Sequence, residues 1–287
     1  MRLGTILQVW RYPVKSMGGE RLTAARLSWR GIPGDRGWAL YDEMRAGITS
    51  AKRLPPLREC SARYLNEPVA GQVSPPAELC FPDGTSIRTE SAEAARRLTE
   101  LTGRAVSLRA LGPAGTDTDP RLTTAGESTE TVRALMGILP GEPEPDLSAF
   151  TPDRLRQLRQ GNFFDAFSLH LITQDSLRTL TRIAPESDWD PRRFRANFLI
   201  DANAADGYPE LEWVGQRLRI GNATIHVVMG CPRCVMVTLK EHDLPQDHRV
   251  MRTLVRETHH TAGVYASVVE EGEVREGDAI ELLDAQP

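Results

Sequence analysis

Two cysteines, Cys231 and Cys234, enclose Pro232 and Arg233 and stand between two apolar runs, 225–229 and 235–239. A thiol pair at a turn between two strands, with a cation built in, is equipped to hold a soft metal or to carry redox chemistry. Thiol-disulfide exchange calls for the pair at the start of a helix, whose dipole lowers the first thiol's pKa; here residues 234–239 read as a strand. A structural zinc site needs four ligands. Cys60 and Cys80 stand apart from the pair, and His226 and His242 would complete such a site only by coincidence. In a third arrangement one cysteine gives a single thiolate to a metal whose other ligands come from a bound cofactor. A purely structural pair of thiols fits the pattern as well.

Charge supplies the next lead. The first 58 residues carry eleven Lys and Arg against four acids, an excess of seven positive charges in a chain of net charge −4. Cations gathered in this way face either solvent or an anion. The other titratable and aromatic residues have packing readings. His170 sits on an apolar strand at 167–172, His259 and His260 follow a helix, and Cys60 and Cys80 read as buried or half-buried free thiols. The five tryptophans, Trp10, Trp29, Trp38, Trp189 and Trp213, read as core or interface packing.

The elements that must position these residues are mostly strands. Alternation and β-branched content mark 3–10, 22–29, 38–41, 57–64 and 105–111, then 198–201, 217–220, 224–229, 234–239, 264–269 and 279–283. A helix is bounded by Ser91 as N-cap and Gly103 as stop, and others are expected at 151–161, 173–184 and 247–258. The fold class is mainly β with interspersed helices, an α+β arrangement without the regular alternation or glycine-rich loops of a doubly wound nucleotide-binding fold. Stretches 112–120 and 139–146 are rich in Pro, Gly and acids. They divide the chain into a β-domain at 1–115, a linker at 116–150 and a second β-domain at 151–287.

Composition bounds the function. The 287 residues, 40% hydrophobic and 26% charged, suit an ordinary soluble protein with room for two cores. Four cysteines are too few for a disulfide scaffold. Nothing approaches the roughly 18–20 apolar residues of a membrane span, and the N-terminus enters an amphipathic strand, so a cytoplasmic location with no membrane partner is expected. The net negative charge argues against nucleic-acid binding.

In order and spacing, Tyr12-Pro13-Val14-Lys15-Ser16, Gly34-Asp35-Arg36-Gly37-Trp38, residues 48–55, Arg193-Phe194-Arg195-Ala196-Asn197-Phe198, Trp213-Val214-Gly215, Gly230 to Cys234, Gly263-Val264-Tyr265-Ala266 and Gly277-Asp278 form a set. This set resembles the MOSC-domain family with its N-terminal β-barrel domain, the group that includes the mitochondrial amidoxime-reducing component. The resemblance covers nearly the whole chain. It implies two β-domains holding a molybdenum cofactor (molybdenum with molybdopterin), and pyridoxal phosphate is not expected. It assigns the metal-ligating thiolate to Cys234, with Cys231 a neighbour. A dithiolene-bound metal needs only one further soft protein ligand.

The cofactor's terminal phosphate and anionic centre require cations and donors. Lys15 and Ser16 are the first candidates, then Lys52 or Arg53. Arg195 and Asn197, two apart and on one face if that stretch is extended, suit the pterin or the metal's ligands. Arg233 and Thr173 follow, Thr173 at a helix mouth. The plainer alternatives are Lys15 as a surface lysine, Arg195 as an ion-pair partner of Asp190 or Asp201, and Asn197 as a strand-entry residue.

The implied activity is molybdenum-dependent reduction of N-hydroxylated or N-oxygenated small molecules, with Cys234, Arg195 and Asn197 as its catalytic residues. Electrons come from a separate donor protein of ferredoxin, cytochrome b5 or flavoprotein type. A non-catalytic carrier of the cofactor, or of sulfur on Cys234, is the alternative. The chain departs from the family's Val-Asp-Pro after the cysteines, having Val237-Thr238-Leu239 instead.

Overall fold

The computed structural model describes residues 1–113, 127–148, 150–151, 163–164 and 166–283. Nine strands come first: β1 (Arg2–Arg11), β2 (Glu20–Leu22), β3 (Ala24–Leu27), β4 (Trp38–Asp42), β5 (Gly47–Ile48), β6 (Ser61–Tyr64), β7 (Ala77–Cys80), β8 (Ser86–Arg88) and β9 (Val106–Ala110). Helix α1 (Ala92–Thr102) lies between β8 and β9, and α2 (Thr129–Met136) follows them. Then come β10 (Leu169–Thr173), α3 (Gln174–Ile183), β11 (Phe198–Asp201), β12 (Arg217–Ile220), β13 (Ala223–Pro232), α4 (His248–Thr258), β14 (Thr261–Glu270), β15 (Gly272–Arg275) and β16 (Ala279–Leu282).

Seven of these strands close a barrel in the order β11, β10, β14, β13, β12, β16, β1, and closure comes from β1 pairing with both β16 and β11. Strand β2 continues the sheet beside β1, while β3 pairs with β15. Alternate residues of each strand point inward, so Ile6, Val9, Leu169, Leu171, Ile200, Leu218, Ile225, Val264 and Ile280 fill the barrel. A second core forms where the sheets β4–β5–β9 and β6–β7–β8 and helix α1 bring together Leu40, Leu57, Leu79 and Leu98. A third lies outside the barrel, where α3 and α4 pack Leu177, Leu180, Val250 and Leu254 against Ile172 and Leu199.

Several sequence expectations meet their local physics here. Ser91 accepts the amide of Glu93, and Gly103 closes α1 in the left-handed region at φ 65°. Thr173 and Asp247 cap α3 and α4 in the same way as Ser91. At four places the structure differs from the local reading. The run after Cys234 is not a strand: Val235–Thr238 form a 3-10 turn. Pro232 ends β13 without an N–H for a further ladder bond, and the closed barrel offers no free edge, so Val237 and Leu239 are buried by packing instead. The stretch read as linker contains α2, capped by Ser128. Trp29 is 59% exposed rather than packed, with the Arg30 guanidinium 4.3 Å above its ring. Within 57–64, Pro55–Glu59 turn in 3-10 form before β6 begins. The helix expected at 151–161 lies outside the described residues.

Candidate functional site

The loop after β1, the turn before β11 and the turn after β13 converge on one cleft of about 280 Å³, close to the lower end of the size range of small-molecule sites. Lys15, Ser16, Arg36, Lys52, Arg195, Arg233 and Cys234 all line it. Five of these seven are cations, and no acid lines the cleft among the described residues. An anion is the natural complement of such a surface.

The backbone that presents these groups is unusual. Ser16 (φ 76°), Arg36 (φ 50°) and Arg195 (φ 56°) are non-glycine residues held in the left-handed region, which costs on the order of 1–3 kcal/mol each. Such strain concentrates where a side chain must be aimed. Ser16 is fixed by the amide of Ala51, which donates to its hydroxyl at 2.9 Å. Lys15 is buried, and its Nζ donates to the Phe163 carbonyl at 2.9 Å. Arg36 pairs with Asp35 and donates through Nη2 to the carbonyl of Arg195 at 3.0 Å.

Arg195 is buried, donates through Nη1 to the carbonyl of Met17, and stacks 4.3 Å over Tyr12. Its Nη2 has no hydrogen-bond partner among the described residues. Burial, with Arg58 and Arg36 nearby, pulls this guanidinium down to about 9, so a bound anion would relieve it. Arg233 donates through Nη2 to the Phe194 carbonyl at 2.8 Å and through Nη1 to the Cys231 sulfur at 2.7 Å, while its Nε is unpartnered. Cys231 is fully buried, and that burial pushes its thiol up against the opposing pull of Arg233. Cys234 is half-buried and borders the cleft. One thiol of the pair therefore packs and the other is presented.

Other expected site residues lie elsewhere. Residues 193–197 are not extended: Pro191–Arg193 form a 3-10 turn and Arg195 reverses the chain, so Arg195 and Asn197 do not share a face. Asn197 is buried behind the cleft. Its Nδ2 donates to Asp35 at 3.0 Å and to the Trp10 carbonyl at 3.2 Å, and its Oδ1 accepts the amide of His170 at 3.0 Å. It acts on the cleft through Asp35, which holds Arg36. Thr173 is buried away from the cleft, donating to Glu210 at 2.5 Å while accepting the amide of Ser176. Arg53 turns to Glu127 at 3.2 Å, leaving Lys52 as the one of that pair on the cleft wall. Neither Asp190 nor Asp201 pairs with Arg195 among the described contacts; Asp190 pairs with Arg192.

The family model for the MOSC domain matches residues 159–281, and that for the MOSC N-terminal beta barrel domain matches residues 3–108. Together they span most of the chain in the expected order. The chain belongs to the MOSC family. It is similar to the human mitochondrial amidoxime reducing component 2, at 24% identity over 97% of this chain and 83% of that protein. It is also similar to the molybdenum cofactor sulfurase of Drosophila mojavensis, at 25% identity over 88% of this chain, although it spans only 30% of that protein's length. The solved structure of the YuaD protein from Bacillus subtilis aligns over 99% of this chain and 97% of that one at 12% identity, with a TM-score of 0.45.

For a MOSC protein the donor set can be tested against the cofactor that the family resemblance implies. A single presented thiol, a buried guanidinium N–H without a hydrogen-bond partner among the described residues, and a lining that holds five cations and no described acid fit an anionic group bearing a soft metal. Among the described residues no three His, Cys, Asp or Glu gather as a self-contained metal site. No helix among the described residues is long and apolar enough to cross a membrane.

Sequence reasoning passed over Arg36, although it lies in the glycine-flanked Gly34-Asp35-Arg36-Gly37 that supported the MOSC resemblance. It also treated His170 as core alone. His170 is buried, its Nε2 lies 3.2 Å from the Ala262 carbonyl, and it forms part of the cleft floor with Tyr265. Burial, and then Arg233, hold its pKa well below the usual imidazole value.

Proposed function

We propose that this protein is a molybdenum-cofactor-dependent oxidoreductase that reduces N-oxygenated small molecules with electrons from a separate donor protein. The observation that carries the reading is the union, in one cleft, of the Cys234 thiol with five cations drawn from both halves of the chain. Its similarity to an amidoxime reducing component supports the reductase chemistry, and its similarity to a molybdenum cofactor sulfurase supports the cofactor.

When bound, a molybdenum pterin would supply two-electron oxygen-atom transfer. Cys234 would give that metal its protein thiolate. Lys15, Ser16 and Lys52 would hold the phosphate end, with the Ser16 hydroxyl already oriented by Ala51. Arg195 would donate through its unpartnered Nη2, and Arg36 would keep its backbone in place. Arg233 would steady the turn that carries Cys234, since its Nη2 and Nη1 already donate to Phe194 and Cys231.

The test is elemental analysis of protein from a molybdenum-replete host, with detection of the oxidised pterin released on denaturation. It is followed by turnover of an aromatic hydroxamic acid using reduced methyl viologen as donor. Molybdenum and pterin in equal amounts with turnover support the reading. Absence of molybdenum overturns it, and bound cofactor without turnover of any N-hydroxy compound favours a carrier.

A further inference from the structure

The apolar side of the cleft is built by a stretch that the reaction has not yet required. Helix α2 ends at Met136, and Gly137 sits against α4 and the 3-10 turn after Cys234, where a side-chain carbon would lie 3.3 Å from Met251 and 3.4 Å from the Val235 Cα. From Gly137 the chain runs as a strap across the barrel. Arg252 of α4 grips the Gly137 carbonyl and Glu142. Arg133 holds the carbonyls of Leu139 and Glu142, and His260 lies 2.8 Å from the Pro143 carbonyl. Ile138 is buried beneath the strap. These clamps set Met136, Leu147 and Phe150 on the cleft wall beside Met236 and Cys234.

The aromatic groups of the cleft fall into two sets. Phe164 and Phe194 lie under the guanidinium groups of Arg36 and Arg233, at 4.1 and 5.7 Å, so their faces are already engaged by cations. The Phe150 ring instead packs edge-on to Phe167 at 6.1 Å, and Phe167 packs on Tyr265 at 5.5 Å. An apolar surface thus runs from the strap to the cleft floor. Leu147 is 44% exposed and α2 buries none of its residues.

We propose that the strap, through Met136, Leu147 and Phe150, is the specificity element of the site. It seats the flat, uncharged aromatic body of an N-oxygenated substrate while the N–O group faces Cys234. The proposal rests on the reductase reading for its substrate chemistry. A cationic body is disfavoured by the five cations opposite, and a small aliphatic one leaves the strap uncovered.

The experiment compares benzohydroxamic acid with acetohydroxamic acid on the wild type and on a Met136→Ala/Leu147→Ala variant. Both positions are partly exposed, so the variant keeps its core. Turnover with reduced methyl viologen should show the ratio of kcat/KM values, aromatic over aliphatic, falling about tenfold in the variant through KM for the aromatic compound. Calorimetric binding of the same two compounds without electron donor supplies a second readout. Both carry the same hydroxamate, so any metal chelation cancels in their ratio. The wild type should bind the aromatic compound about tenfold more tightly, and the variant should lose most of that preference. If the wild type lacks molybdenum and turnover, the reductase reading fails, and the binding ratio alone then decides for or against the strap. Equal binding of the two compounds by the wild type, or an undiminished preference in the variant, overturns the proposal.

Discussion

The Nη2 of Arg36 lies 3.0 Å from the carbonyl oxygen of Arg195, a contact between residues 159 positions apart whose backbones are both left-handed. The contact holds a strained turn from the second half of the chain against a strained loop from the first. Arg36 is anchored in turn by Asp35, which also receives the Asn197 amide and the backbone N–H of Tyr12.

Arg195→Lys removes the fork that reaches Met17 with one nitrogen and leaves the other free for a ligand. A lysine cannot make both contacts at once. Cofactor retained through purification, measured as released pterin per protein, is expected to fall about tenfold or more, with the melting temperature shifted by only a few degrees.

The same group sets a pH limit. Arg195 is pulled down to about 9, and its charged form is the one that attracts an anion. Below pH 9 the charge is present in the empty site. Above it, binding must be accompanied by proton uptake, so anion affinity declines up to about tenfold per pH unit. Pyrophosphate affinity measured by calorimetry on cofactor-free protein from pH 7 to 10 should fall above pH 9 in the wild type and lose that inflection in Arg195→Gln.

The two cysteines are expected to separate cleanly. Cys234→Ser should leave less than about a tenth of the wild-type molybdenum, because a hydroxyl is a poor soft-metal ligand. Cys231→Ser should retain most of it, since a serine oxygen can still accept from Arg233. Metal analysis of both variants, grown side by side, makes the comparison; equal loss in the two would refute the assignment of Cys234.

His170 predicts how stability responds to acid. Its folded pKa is held well below 6.5, mainly by burial, so the unfolded chain takes up the proton first as pH falls below 6.5. Stability is then full above that value and declines beneath it by up to about 1.4 kcal/mol per pH unit. Urea unfolding of the wild type and His170→Gln between pH 7.5 and 5 should show a shallower slope for the variant.

Arg58 and Glu241 form a buried ion pair, and two of the guanidinium nitrogens of Arg58 have no hydrogen-bond partner among the described residues. Glu241→Gln strands a buried cation, and a loss of about 3–5 kcal/mol is expected in urea unfolding. Arg58→Met combined with Glu241→Leu should recover most of that loss, because the pair then leaves no charge behind.

The elements legible in the sequence were those whose signal is local. Alternation marked β1, and Ser91 with Gly103 fixed both ends of α1. The 3-10 turn after Cys234 was not legible, because Val235 to Leu239 has strand composition and only the closed barrel denies it a partner. Helix α2 was masked by the proline and glycine around it, although Ser128 and Gly137 are ordinary caps. At the site, Lys15, Ser16, Lys52, Arg195, Arg233 and Cys234 come together on one cleft. Thr173, Arg53 and Asn197 do not, since their neighbours Glu210, Glu127 and Asp35 are distant in sequence. A partner of that kind leaves no periodic trace.

The strand that seals the barrel has an implication for how the molecule can be made or divided. Because β1 lies between β16 and β11, a strand that precedes both by most of the described chain waits for nearly all of the others before its two edges are satisfied. A piece cut from residue 151 onward would carry two raw strand edges and no means of covering them, and is expected to aggregate. Supplying residues 1–113 as a separate polypeptide should rescue its solubility, making the seam a workable split point for a complementation reporter.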